Sequence, residues 1–149
     1  MALRRYALAF SYNGVRYNGV PPQLEPANQS FTSLHNHLSL ALHEFSPNFE
    51  NLIISSRTDS GVSALRNTLH VDLPPRPSST AFPSPMSVLN GLNYHLHFSS
   101  PLSPTPTVPN MSPVTPLRIT ECAPAPTPSW SARHSAFQRV YTYRILAPR

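Results

Sequence analysis

The sequence predicts an α+β domain, a mostly antiparallel sheet with helices on one face. Two periodicities and their order along the chain lead there. Tyr6, Leu8, Phe10 and Tyr12 alternate with Ala7, Ala9 and Ser11, the period of a half-buried strand. Phe31, Leu34, Leu38, Ala41, Leu42 and Phe45 recur at three and four, the stripe of an amphipathic helix. The segments that follow continue the series as strand, helix, strand, strand, helix, strand, strand, which packs as helices against one sheet.

Each element has its own signals. The first strand closes at the Asn13-Gly14 turn dipeptide, and residues 13–28, rich in Gly, Pro and Asn, form a loop. Ser30 is placed to cap the first helix, and Pro47 ends it. Leu52, Ile53 and Ile54 make a short apolar strand that runs into Ser-Ser-Arg-Thr-Asp-Ser-Gly. Thr68 to Leu73 alternates again and stops at Pro74-Pro75. A weaker helix over about Ser84 to His97 carries Met86, Leu89, Asn93 and Leu96, and Gly91 is expected to break it in its middle. Leu117–Cys122 and Val140–Leu146 are further strand candidates. The organisation expected is an α+β unit over 1–97, a linker or loop over 98–116 with six prolines and no charge, and a closing strand-bearing segment over 117–149.

A length of 149 residues fits one ordinary domain or slightly more. A single cysteine, Cys122, can close no intramolecular disulfide, so an intracellular protein held together by packing is expected. No apolar run approaches the roughly 20 residues of a membrane helix, and no membrane partner is expected. The first strand starts so close to Met1 that a removable targeting segment has little room. Eleven basic residues, all arginine, stand against six acids, for a net charge of +5. Arginine neutralises phosphate and hydrogen-bonds it through a planar fork, so the balance leans towards a polyanion partner.

Two segments concentrate chemistry. In Arg57-Thr58-Asp59-Ser60-Gly61-Val62, Gly61 permits a tight turn that presents Asp59 at the lip of a cleft, with Arg57 near enough in sequence to keep it ionised. The same residues also suit a solvated turn with a local ion pair. Asp-Ser-Gly occurs in aspartic protease half-sites too, but an adjacent Arg57 would suppress the proton that two carboxylates there must share. Residues 130–144 interleave Arg133, Arg139 and Arg144 with Tyr141 and Tyr143. Guanidinium groups bind phosphates and tyrosine rings stack on unpaired bases; a core strand with inward tyrosines would look the same. The histidine pairs His35/His37 and His95/His97 are spaced i, i+2, which points them apart on a helix, and no metal is expected. His43 and His70 read as edge residues of packed elements.

Four segments in order, YALAFSYNGVRYNG from Tyr6, SRTDSGVSAL from Ser56, LNGLNYHL from Leu89 and SARHSAFQRVYTY from Ser131, resemble the TruA-type tRNA pseudouridine synthases and their eukaryotic synthase-like branch. The resemblance covers nearly the whole chain and the first half of the family's length. It implies a ferredoxin-like half of a catalytic domain and an enzyme that isomerises uridine to pseudouridine in tRNA or other structured RNA, without a cofactor. It implies Asp59 as the essential aspartate, Tyr141 as the ring that stacks on the flipped base, Arg57 beside the flipped nucleotide, and Arg133 and Arg139 on the RNA backbone. A cytoplasmic or mitochondrial location and a homodimer are both compatible with it. The family's Gly-Trp after the first loop is Gly19-Val20 here, and its His after Gly-Val is Ser63. An RNA-binding but non-catalytic fragment is the main alternative; a dimeric aspartic protease is the more distant one.

Overall fold

The computed structural model describes residues 2–20, 33–77, 79–98 and 116–145. The chain runs β1 (Arg4–Tyr12), α1 (Leu34–Phe45), β2 (Glu50–Ile54), β3 (Ala64–Leu73), α2 (Pro85–Phe98) and β4 (Leu117–Pro124), with a 3-10 turn at Gly14–Arg16 after β1. The four strands lie in the order β2-β3-β1-β4, every neighbouring pair antiparallel. This βαββαβ arrangement is the ferredoxin-like topology.

The register explains the alternation. Tyr6 faces Val71 and Leu8 faces Leu69 across β1 and β3, so their side chains share one face and enter a common core with Phe10, Leu73, Ile119 and the buried stripe of α1. One residue out of phase, Arg5 faces Asp72 and Ala7 faces His70 on the opposite face. The core helices also bond to the sheet: Asn93 of α2 donates from Nδ2 to the Ile119 carbonyl and accepts from the Ile119 amide, both at 2.9 Å.

Three expectations change. Ser33, not Ser30, caps α1, its hydroxyl accepting from the Asn36 amide at 3.1 Å; Ser30 and Phe31 lie outside the described residues. Gly91 does not break α2, which is continuous through it. A β-carbon at Gly91 would collide with the ring of Phe45, so the glycine admits α1 to close approach. Val140 to Ile145 form no strand: their Val140, Tyr141, Tyr143 and Ile145 side chains are exposed. Alternation marks a segment that suits a sheet, but a strand needs a neighbour's free backbone groups, and neither edge strand, β2 nor β4, receives this one. Leu146 and nearly all of the 98–116 segment lie outside the described residues.

Gly91→Ala tests the packing account. The helix gains about 1 kcal/mol of propensity, and displacing a packed ring costs about 1–3 kcal/mol. We expect a lower thermal midpoint; a raised one would refute the contact.

Candidate active site

Asp59 stands on the turn that joins β2 to β3, and the residues around it explain why that turn is ordered. At its entrance Ser55 and Asn67 close a network: the Ser55 hydroxyl donates to Asn67 Oδ1 at 2.9 Å, and Asn67 Nδ2 donates to the Ser56 carbonyl at 3.0 Å. At its crest the loop after β1 closes on it. Thr58 Oγ1 bonds the Tyr12 hydroxyl at 2.8 Å, and the Thr58 carbonyl accepts from the Val20 amide at 3.3 Å. Gly61 holds a φ of +79°, the left-handed conformation that glycine tolerates.

The Asp59 side chain is exposed and makes no hydrogen bond or ion pair with any described residue. The local ion pair with Arg57 is therefore not formed. Arg57 instead lines a cleft of about 410 Å³ together with Arg133 and Arg139, over a wall of Val20, Leu52, Ile54 and Ser55, with His35 beside it. Among the described residues no carboxylate lines this cleft, so three guanidinium groups create an unbalanced positive potential there. Tyr141 lies outside the lining, its ring 62% exposed and in contact with no other aromatic among the described residues.

Residues more than seventy positions apart meet because the chain after β4 crosses the open face of the sheet. The Ala125 amide extends the β4 pairing to the Arg5 carbonyl at 2.9 Å. Arg5 then donates to the Trp130 carbonyl at 2.8 Å, and the Trp130 ring meets His70 edge-on at 6.2 Å. The Ala132 amide donates to His70 Nδ1 at 3.0 Å, and Ala132 is buried. Arg133 and Arg139 follow directly and reach the β2 edge.

Under this strap Asp72 takes two bonds from Arg5 at 2.7 Å and one from Asn51 Nδ2 at 2.8 Å. Burial pushes the carboxyl upward, but the bonds from Arg5 and Asn51 outweigh it and hold it below its usual value. Asn51 reaches Asp72 from a left-handed backbone, φ 54°, at the irregularity between Glu50 and Ile53. Sequence reasoning missed Arg5, Asp72 and His70; the signal available was a charged pair at matching register on strands otherwise apolar. His70 is buried in an interior strand rather than at an edge, and burial lowers its pKa, keeping the ring neutral and able to accept.

The remaining titratable groups do not add a second centre. His37 is buried and bonds Tyr17, whereas His35 turns to the cleft, as i, i+2 spacing requires. Among the described residues no three His, Cys, Asp or Glu side chains gather as a ligand set. Burial pushes the Cys122 thiol up to about 12, so it packs as a small apolar group. Among the described residues no helix is long and apolar enough to cross a membrane.

Sequence comparison finds relatives along nearly the whole chain. The chain is 32% identical over 144 residues to a tRNA pseudouridine synthase-like 1 of Xenopus laevis, covering 96% of this chain and 42% of that protein. It is 31% identical over 147 residues to a tRNA pseudouridine synthase A of Roseobacter denitrificans, covering 99% and 46%. A tRNA pseudouridine synthase-like 1 of Homo sapiens is 31% identical over 144 residues, covering 95% and 40%.

The chain is homologous to the TruA-type tRNA pseudouridine synthases.

It spans less than half the length of these curated relatives. No family model matches it. The alignments with the synthases run through the Asp59 turn, the strap and the basic cleft alike, since they take in nearly all of the chain.

Proposed function

We propose that this chain carries the aspartate-bearing, RNA-binding part of a tRNA pseudouridine synthase. The observation that supports it most is the convergence of Arg57, Arg133 and Arg139 on one cleft, lined by no carboxylate among the described residues, at the strand end that leads into Asp59. Phosphates of a structured RNA, a tRNA above all, neutralise that potential. A uridine extruded from the RNA meets an aromatic face at Tyr141 and a cation at Arg57.

The reaction is an isomerisation and balances without a cofactor. Asp59 either attacks the ribose C1′, forming an ester that breaks again when C5 bonds to C1′, or removes a sugar proton that it returns at the end, and the N1–C1′ bond breaks. The uracil rotates, C5 bonds to C1′, the C5 proton leaves, and N1 ends protonated. A carboxylate with no partner among the described residues serves either role. The setting is the cytosol or the mitochondrion, and a second copy of the chain is a candidate partner.

Incubating tRNA with the chain and mapping pseudouridine by carbodiimide-blocked primer extension tests this. Asp59→Ala is expected to cut modification by at least about 10²–10⁴-fold while RNA affinity stays within about threefold. Arg133→Ala is expected to weaken binding across sequences and to reduce the salt slope by about 1. Equal absence of modification in both proteins, with salt-sensitive binding retained, would leave the non-catalytic RNA-binding reading. Loss of neither modification nor binding in the variants would defeat both.

A further inference from the structure

We infer that Tyr17 is a positioning residue for Asp59: its backbone carbonyl holds the Asp59 turn while its hydroxyl is locked to His37 of α1. The inference rests on Asp59 acting on the substrate as proposed above.

Two donors from the turn converge on one oxygen. The Gly61 amide and the Ser60 hydroxyl both donate to the Tyr17 carbonyl, each at 3.3 Å. Asp59 is therefore followed directly by two residues tied to Tyr17 and preceded by Thr58, tied to Tyr12. A further contact fixes the height of the turn: the Gly14 amide donates to the Ser63 hydroxyl at 2.9 Å, and a β-carbon on Gly14 would collide with the Val62 carbonyl. Backbone at that separation has no room to rise.

The Tyr17 end of the clamp is rigid for a separate reason. Its side chain is buried, packs edge-on against Tyr12 at 6.3 Å, and its hydroxyl shares a hydrogen bond with His37 Nδ1 at 2.7 Å. Burial raises the phenol and lowers the imidazole, so both groups are uncharged at neutral pH and the bond joins two neutral partners. Among the described residues His37 Nε2 has no hydrogen-bond partner, which leaves the Tyr17 bond as the polar anchor of this buried ring there. Helix α1 thus reaches the Asp59 turn through the Tyr17 hydroxyl and carbonyl, and beside them through Val20, whose carbonyl accepts from the His35 amide and whose amide donates to the Thr58 carbonyl.

Tyr17→Phe keeps the ring and removes the lock. In single-turnover modification of tRNA we expect the chemical rate to fall about tenfold with RNA affinity within twofold, and hydrogen exchange at the Gly61 amide to accelerate about tenfold. Ser60→Ala, an exposed change, should reproduce a smaller part of both effects and tests the clamp if Tyr17→Phe does not fold. A His37→Leu change should match Tyr17→Phe, and the double variant should be no slower than either. A merely structural Tyr17 would lower the melting temperature and leave the split between rate and affinity untouched. Unchanged Gly61 exchange in Tyr17→Phe and Ser60→Ala, or additive losses in the double variant, overturns the inference. Should the unaltered chain modify no RNA, the catalytic reading fails and the exchange measurements still decide whether the clamp exists.

Discussion

Asp72→Ala will lower the free energy of unfolding by about 2–3 kcal/mol and loosen the strap that carries Arg133 and Arg139. The carboxylate receives the Arg5 fork at 2.7 Å on both oxygens, with Asn51 at 2.8 Å, and the paired side chains are only 17% and 10% exposed. Removing it leaves Arg5 mostly desolvated and without its counterion, a loss larger than the worth of the pair itself. Partial exposure keeps the figure below that of a fully buried pair. Because Arg5 also donates to the Trp130 carbonyl, its reorientation releases the strap on the side nearest the cleft. Urea unfolding should show a lower midpoint at constant slope, and, on the function proposed, RNA affinity should fall several-fold although Asp72 lies outside the cleft lining. A midpoint within experimental error of the parent would show that the network is dispensable.

Acid will cost the fold about 3 kcal/mol between pH 6.5 and pH 4 through His37, whose pKa burial pushes down to about 4 from an ordinary 6.5. In that interval the unfolded chain binds the proton and the folded chain does not, so stability rises with pH and is lost as pH falls. Below about 4 both states are protonated and the contribution levels off. His35 and His70 act in the same direction, both held low by burial. Asp72, depressed in the folded state, adds a loss only at lower pH, below its unfolded value of 3.8. Stability measured from pH 7 to pH 4 should fall steeply in the parent and much less in His37→Leu. Parallel curves for the two proteins would remove His37 as the cause.

The strands and helices were largely legible because each rests on a local period. The alternation of β1 and the three-and-four stripe of α1 report which side chains share a face, and the faces agree with the observed core. Where the reading failed, the deciding partner was distant in sequence. Gly91 carries the mark of a weak helix, and only the Phe45 ring against it explains its tolerance. Val140 to Ile145 carry the mark of a strand, and only a neighbouring ladder could make them one.

The site divides along the same line. By itself the sequence determined the chemical inventory: an aspartate close to a glycine that allows the turn, arginines without lysine, tyrosines among the arginines, and similarity along nearly the whole chain to proteins named tRNA pseudouridine synthase. Those are properties of residue type and spacing, which composition and local conformation express directly. Tertiary structure alone decided which of them meet. It turned Arg57 away from Asp59 into a cleft with Arg133 and Arg139, because a strap pinned by Arg5 and His70 crosses the sheet to bring them there. It also tied the Asp59 turn to Tyr17 and His37, since close approach of two loops depends on a missing β-carbon and a shared carbonyl that no local pattern encodes.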